Sequence, residues 1–460
     1  MPTLPVPDVS ALRSVHLVGI GGAGMSGLAR LFLARGVSVG GSDLKQSAGI
    51  ERLRELGARV AVGHDASLVE GVDAVVVSSA IPPTNPEVER ARALGIAVLA
   101  RAQALAGLLA DRDTLAVAGT HGKTTTTSMA AVVLERAGLD PTYVIGGDLN
   151  ESGSNARAGG GRIAVAEADE SDGSFLLLTP AIGIVTNVEV DHVDFYPGGA
   201  QEVEAAFRAF CERCTVVVAC AEDAGVRRVV AGLGNVVTYG TAGEADVRVE
   251  LSGEPGRARV VLDGSAVELS LPIPGRHNLL NAAAVLAAAA RVGVAPADGA
   301  ASLAGFTGVR RRFESRAEAG GARFVDDYAH HPTEIAATLA AARDRSSARL
   351  VAVFQPHRYS RTEAMWAALG RSLAGADVVV VTDVYGAGEQ PIPGVTGHLV
   401  VESLLEEAPS KRVAYLPRRH DLSAYLAREV RAGDLVLTLG AGDITTLGDE
   451  VAQRLREELP

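Results

Sequence analysis

An α/β fold in three domains is what this sequence predicts: a Rossmann-like N-terminal domain, a central P-loop ATPase-like α/β domain with a small antiparallel β appendage, and a C-terminal Rossmann-like α/β domain. Three observations predict it. Short apolar runs alternate with helical stretches along most of the chain, the pattern of parallel sheets covered by helices on both faces. Two Gly-rich turns, one from Gly19 to Gly24 and one from Gly119 to Gly122, each follow an apolar strand and open a helix. The chain has 460 residues, and at roughly 100–200 residues per domain that length makes about three domains.

The elements follow in order. In the first domain, residues 1–112, strands are expected at 14–18, 37–41 and 74–78, with a helix at 27–35. The central domain, residues 113–307, opens with a strand at 114–118, a Gly turn and a helix at 123–137. Its apolar runs at 163–166, 182–186 and 215–219 read as buried parallel strands. From 246 to 271 strand-like alternation is broken by Gly and Pro, which predicts the antiparallel appendage, and 278–290 is an Ala-rich helix. The third domain, residues 308–460, carries expected strands at 323–325, 350–354, 378–382, 413–416 and 435–439. No solenoid-type period occurs.

Composition excludes several classes. Apolar residues are 47% and charged residues 21% of the chain, the balance of an ordinary soluble protein. A net charge of −12 argues against general nucleic-acid binding. No run of about 18 uncharged apolar residues predicts a membrane span. The stretch from Met1 to Ser10 lacks a basic region followed by an apolar one, so it does not read as a signal peptide. Cys211 and Cys214 have a spacing known from metal and redox sites, but no second Cys/His pair lies nearby. Together with Cys220 they read as reduced, buried thiols, which fits a cytoplasmic protein. The basic residues are almost all arginine, and the lysines are Lys45, Lys123 and Lys411.

Chemistry gathers at strand ends. Gly19-Ile-Gly21-Gly22-Ala23-Gly24 fits G-x-G-x-x-G, with Asp43 at the end of the next strand. That context suits a nucleotide diphosphate on a helix N-terminus and a carboxylate on a ribose hydroxyl, against a tight structural turn as the plainer reading. The pattern does not name the nucleotide, and NAD is the default. Gly119-Thr120-His121-Gly122-Lys123-Thr124-Thr125 departs from the full Walker pattern, whose first glycine falls at Val117. Its placement still suits ATP: backbone amides cradle phosphate, Lys123 reaches the terminal phosphates and Thr124 can bind Mg²⁺. Glu167, Asp169, Glu170 and Asp172 crowd the end of another strand, where hard oxygens suit Mg²⁺ and a solvated acidic loop is the alternative. His192 follows Asp191 beyond the next strand. In the third domain Asp326-Asp327-Tyr-Ala-His330-His331-Pro and Gln355-Pro-His357-Arg358-Tyr-Ser-Arg361 follow successive strands and read as one face of a cleft, since arginine forks suit carboxylates and phosphates.

The order of these motifs, with His277-Asn278-Leu-Leu-Asn281 and Arg310-Arg311-Arg312-Phe313 between them, resembles the Mur ligases over nearly the whole chain. The resemblance implies a UDP-sugar rather than NAD in the first domain. Gly21, Gly22, Ala23, Gly24, Met25 and Ser26 would take the diphosphate, while Asp43, Ser78, Ser79, Ala80 and Ile81 would line the uridine and sugar region. It implies ATP and Mg²⁺ in the central domain. Lys123 would neutralise the transferred phosphate, Thr124 and Glu167 would hold one Mg²⁺, and Glu167 with His192 a second. Asn278 and Asn281 would contact the nucleotide, and Arg312 and Asp327 would contact ATP from the third domain. His330, His331, Arg358 and Arg361 would line the alanine or muramate pocket. The substrates implied are UDP-N-acetylmuramate and L-alanine, for a monomer or homodimer in the cytoplasm. Several family members that add later residues carry a carbamylated lysine as a metal ligand, and the stretch 201–215 here contains no lysine.

The implied reaction is ATP-dependent amide ligation through an acyl phosphate. Its nearest rival is a recycling ligase that attaches a whole cell-wall peptide to the same nucleotide sugar. The sequence Glu170-Ser-Asp-Gly-Ser-Phe175 favours alanine addition. A nicotinamide oxidoreductase would rest on the first glycine turn alone. A UDP-sugar-binding regulator without activity would not require Lys123, Glu167 and His192.

Overall fold

The computed structural model describes residues 6–78, 80–192, 195–345 and 348–458. The chain divides into two units. The first comprises residues up to Leu251 with Ala258–Ser270 and Leu280–Phe306, and the second comprises Ser252–Arg257, Leu271–Leu279 and the chain from Thr307.

The first unit carries two sheets. Strands β1 (Ser14–Val18), β2 (Ser38–Asp43), β3 (Arg59–Val62), β4 (Ala74–Val77) and β5 (Ala97–Ala100) form a five-stranded parallel sheet in the order β3-β2-β1-β4-β5. The chain reverses direction across the sheet between β1 and β4, the place where sheets of this class open a crevice for ligands. The helix Ala23–Ala34 begins four residues before the expected start at 27. Gly24, which reads as a turn residue, lies inside it, as does Gly27. At Gly27 a Cβ would stand 3.2 Å from the Ala156 methyl, so the glycine permits close packing of this helix on the central sheet. Buried Leu28, Leu31 and Phe32 of the helix share one core with Val144, Ala156, Ala164 and Ala166.

The central sheet adds β6 (Asp113–Ala118), β7 (Thr142–Val144), β8 (Ala156–Arg157), β9 (Ile163–Glu167), β10 (Ile182–Val185), β11 (Val216–Cys220), β12 (Val236–Gly240), β13 (Val247–Leu251), β14 (Arg257–Leu262) and β15 (Ser265–Ser270). Their order is β15-β14-β13-β12-β11-β10-β6-β9-β7-β8. The expected appendage is therefore an extension of the central sheet. β13 pairs in parallel with β12 through Tyr239–Val247 and Gly240–Arg248, then antiparallel with β14. The helix Lys123–Arg136 is buried from Thr124 to Leu134. Its buried hydroxyls at Thr126 and Thr127 donate to the carbonyls of Gly122 and Lys123 one turn back, which satisfies them without water. Cys211, Cys214 and Cys220 are buried free thiols, and burial pushes Cys211 up to about 12.

The second unit holds β16 (Glu314–Ala319), β17 (Ala322–Asp327), β18 (Leu350–Phe354), β19 (Val378–Val381), β20 (Arg412–Tyr415) and β21 (Leu435–Leu439), ordered β16-β17-β21-β18-β19-β20. β16 pairs antiparallel with β17, and the other pairs are parallel. Alternation on β18 sends Leu350, Ala352 and Phe354 into one core and Val351 and Val353 into the other. Both faces of this sheet are thus covered, which is why its strands read as continuous apolar runs.

Candidate active site

In the first unit the sheet order places β10, β6 and β9 side by side, so the segments after their C-terminal ends converge. The phosphate loop follows β6. Gly119 takes φ +140° and Gly122 takes φ +79°, backbone shapes that L residues rarely adopt. A Cβ at Gly119 would overlap the hydroxyl of Thr186 after β10, and one at Gly122 would press on the Asn281 amide at 3.2 Å. The loop is fastened to the segment after β10. The Thr186 hydroxyl donates to the His121 carbonyl (2.6 Å), the His121 N–H donates to the Asn187 side chain (2.7 Å), and the Thr120 hydroxyl accepts from the Glu189 N–H (2.9 Å).

Lys123 sits at the centre. Its ammonium donates to the Gly119 carbonyl (2.7 Å) and to both Glu170 oxygens (3.0 and 2.8 Å). Burial works against its charge, yet the carboxylates of Glu170, Asp169 and Glu167 outweigh burial and hold the ammonium protonated. Thr124 donates to Glu167 Oε1 (3.1 Å), and the Gly146 N–H donates to Glu167 Oε2 (2.8 Å). Asp169 titrates below the usual carboxylate range: burial opposes this, but Lys123, the Ser171 N–H, Arg101 and His192 prevail. His192 faces Glu170 at 3.8 Å and Asp191 at 3.6 Å from a left-handed backbone, φ +52°. Such a conformation in a non-glycine residue is sparsely populated and collects at functional sites. The arrangement offers an ammonium, hard oxygens and an imidazole around one glycine turn.

The glycine turn of the first sheet is organised around Asp43. Asp43 Oδ2 accepts from the Gly21 N–H at 2.9 Å, and Oδ1 accepts from the Lys45 N–H at 3.2 Å. The carboxylate thus shapes the turn. A Cβ at Gly21 would lie 2.9 Å from that same oxygen, so the carboxylate would have to shift for any larger residue. Met25 is buried in the core, while Gly22 caps the helix and Ser26 begins its ladder by donating to the Gly22 carbonyl. Ser78, Ile81, Arg101, Asp172, Ser174 and Phe195 line a cavity of about 490 Å³ beside this turn. Ala80 closes a turn onto the Ser78 hydroxyl (3.4 Å), and Ser79 lies outside the described residues. Arg101 was not singled out by sequence. Its Cδ and one guanidinium nitrogen lie 3.0 and 3.1 Å from where a Cβ at Gly24 would stand, and its charge helps to lower Asp169. It follows directly on β5, a strand end that the sequence pattern did not reveal.

The remaining candidates belong to the second unit, except Asn281. The helix Arg276–Ala290 is divided between the units after Leu279, so Asn278 and Asn281 fall on either side of that division. Asn278 donates to the Pro274 carbonyl at 2.6 Å. Asp327 accepts from the N–H groups of Phe313 and Ala329, both at 2.8 Å, and burial raises its carboxyl to about 6 against the pull of Arg312. Arg312 lies over the Tyr328 ring and 3.6 Å from Glu334. His330 packs edge-on against both Tyr328 and His357, and burial lowers His330 to about 4 and His357 to about 3. These imidazoles are neutral at physiological pH. His331 is buried and accepts from the Thr333 N–H at 3.3 Å, Arg361 is buried near the start of the helix Tyr359–Ser372, and Arg358 is paired with Glu389 at 2.5 Å. Glu389 is a second residue that sequence reasoning missed.

Comparison with known proteins gives three family matches. The profile described as the Mur ligase family catalytic domain matches residues 14–113, the Mur ligase middle domain matches 117–289, and the Mur ligase glutamate ligase domain matches 311–442. A UDP-N-acetylmuramate–L-alanine ligase of Kineococcus radiotolerans is 51% identical, covering 98% of each chain. The crystal structure of a UDP-N-acetylmuramate–alanine ligase from Thermotoga maritima matches with a TM-score of 0.81 at 31% identity, over 97% of this chain and 99% of that one. A murein peptide ligase from Psychrobacter arcticus shares the fold, with a TM-score of 0.71 at 24% identity over 96% of this chain and 98% of that one.

Proposed function

The chain belongs to the Mur ligase family, and from that premise we propose how its residues carry out the ligation. The reaction is the ATP-dependent addition of L-alanine to UDP-N-acetylmuramate in peptidoglycan precursor synthesis. The domain limits proposed are 1–112 for the nucleotide sugar, 113–307 for ATP and 308–460 for the amino acid. Each range holds one of the three sheets.

A carboxylate is a poor acyl electrophile, so it must first be activated. A lactyl carboxylate oxygen attacks the γ-phosphorus of ATP, ADP leaves, and an acyl phosphate forms. The neutral amine of L-alanine then attacks the carbonyl carbon, inorganic phosphate leaves, and the nitrogen gives up its surplus proton. The first step joins two anions, and Lys123 offsets their repulsion from within the phosphate loop. Gly119–Thr125 cradle the phosphates, with the Asn281 amide beside Gly122. Gly21, Gly22, Gly24 and Ser26 present the helix N-terminus to the diphosphate. Arg358 and Arg361 hold carboxylate groups, with His330 and His331 as neighbours. The hard-oxygen pair Thr124 and Glu167, 3.1 Å apart, fits Mg²⁺. Thr124 and Glu167 would hold one ion and Glu167 with His192 a second, and Mg²⁺ when bound supplies charge neutralisation at the phosphate oxygens.

One observation carries this reading. Lys123 is buried among carboxylates in a phosphate loop, in a chain that holds a separate diphosphate-type turn. Phosphate release is expected to require UDP-N-acetylmuramate and L-alanine together. The assay supplies ATP, Mg²⁺ and each amino acid in turn. Faster turnover with a cell-wall tripeptide than with L-alanine would move the assignment to the recycling reaction, and hydride transfer to a nicotinamide would revive the oxidoreductase.

A second expected result concerns carbon dioxide. The helix Ala200–Arg213 contains no lysine. Lys411 donates to the carbonyls of Ala374 (2.8 Å) and Ala376 (2.7 Å), Lys123 belongs to the phosphate loop, and Lys45 lies beyond β2. No lysine is placed to form a carbamate ligand beside His192. Turnover should be the same in degassed buffer and after bicarbonate is added. Loss on degassing with recovery on bicarbonate would overturn the metal assignment.

A further inference from the structure

In the second unit one arginine is held in a costly conformation by a loop distant in sequence. Arg358 has φ +68° and ψ +135°, a region that is nearly the preserve of glycine. Such strain persists only where the surroundings over-determine it. Here they do so on both the backbone and the side chain. The Arg358 N–H donates to the Tyr385 carbonyl at 2.9 Å, and the Tyr385 N–H donates back to the Pro356 carbonyl at 2.9 Å, so the two segments pair like short parallel strands at His357 and Tyr385. The loop then turns tightly: the Glu389 N–H closes onto the Gly386 carbonyl at 2.9 Å, through Ala387 at φ +48° and Gly388 at φ +93°. That turn delivers the Glu389 carboxylate to the start of the helix Tyr359–Ser372. It accepts from Arg358 Nε (2.5 Å), from the Ser360 N–H (3.0 Å) and from the Ser360 hydroxyl (2.7 Å). Gly386 permits this approach, since a Cβ there would stand 3.1 Å from the Tyr359 ring.

We infer that Glu389 is the positioning residue that presets the Arg358 guanidinium for the carboxylate of the incoming amino acid. This rests on the proposed role of Arg358 in the amino-acid pocket. A free arginine side chain has about 2 kcal/mol of rotamer entropy to lose on binding. Engagement of Nε by a carboxylate that is itself fixed by two Ser360 donors removes much of that freedom beforehand. It leaves the group aimed by the fold rather than by the ligand. Burial opposes ionisation of Glu389, but the Ser360 donors and Arg358 keep it below the usual carboxylate range, so the restraint holds across physiological pH. The opposite role, a built-in mimic that competes with the substrate carboxylate, makes the contrary prediction and is separated by the same test.

The experiment is steady-state kinetics of Glu389→Ala and Glu389→Gln in the full chain, with thermal melting of each. The alanine variant should raise the KM for L-alanine roughly 10–100-fold with kcat within about threefold, because uniform binding is what is lost. The KM values for ATP and UDP-N-acetylmuramate should not move. The glutamine variant keeps an acceptor for Ser360 and should fall between the two. A lower KM for L-alanine in either variant would make Glu389 a competitor and overturn the inference. An unchanged KM beside a lowered melting temperature would reduce it to a structural ion pair. Absence of L-alanine-dependent phosphate release in the wild-type chain would instead defeat the function itself, so the two failures are distinguishable.

Discussion

Lys123→Ala should lower kcat by at least about 10²-fold, because it removes the ammonium proposed to offset charge at the transferred phosphate. The variant has a second consequence. The Glu170 side chain is 3% exposed and paired with Lys123 at 2.8 Å. Removing one partner of a buried pair strands the other charge, at a cost of order 3–5 kcal/mol. Lys123→Ala should therefore melt earlier as well as turn over slowly. The double variant Lys123→Ala with Glu170→Gln relieves the stranded charge, and it should regain stability without regaining activity. Binding of UDP-N-acetylmuramate, measured by calorimetry, should persist in both. Near-normal turnover in either variant refutes the role given to Lys123. Recovery of turnover together with stability would show that the lysine acts only through the fold.

How far the sequence reading reached follows from what kinds of signal each feature leaves. The strand, Gly turn and helix around Lys123 were legible because each has a local pattern, and β6 and the helix Lys123–Arg136 stand within a residue of expectation. β3 and β5 were not legible. Each is four residues long and neither has a fully buried position, so neither stands out as a buried core strand. Without β5, nothing marked Arg101 as a strand-end residue. Asp43 stands at the end of its strand as expected, but spacing locates a carboxylate without showing which backbone groups it holds. The Gly21 N–H is the partner found. Glu389 left no trace: it reaches Arg358 across 31 residues through a turn and a bridge that exist only once β18 and β19 are paired. Sequence patterns thus exposed groups gathered by one element and missed those brought together by sheet pairing.

The metal assignment leads to the second large effect. Glu167 closes β9 and is held from two sides, by the Thr124 hydroxyl on Oε1 and by the Gly146 N–H on Oε2. Glu167→Gln keeps an oxygen for one of these donors and changes the volume little, so the fold should survive. What it loses is the charge that makes the site attractive to a divalent cation. The Mg²⁺ concentration for half-maximal activity is expected to rise, roughly 10–100-fold if the loss resembles that of other metal-site contacts. Saturating Mg²⁺ should restore part of the turnover. His192 needs a different substitution. Its backbone is left-handed, φ +52°, where asparagine is tolerated far better than alanine. His192→Asn therefore tests the imidazole with little added backbone strain, and it too should raise the Mg²⁺ requirement. Titrating Mg²⁺ against phosphate release in both variants decides the matter. If each loses activity while its Mg²⁺ dependence stays that of the wild type, neither side chain is a metal ligand. Glu167 would then act chiefly by holding Thr124 and Gly146 in place, and His192 by facing Glu170 beside Lys123.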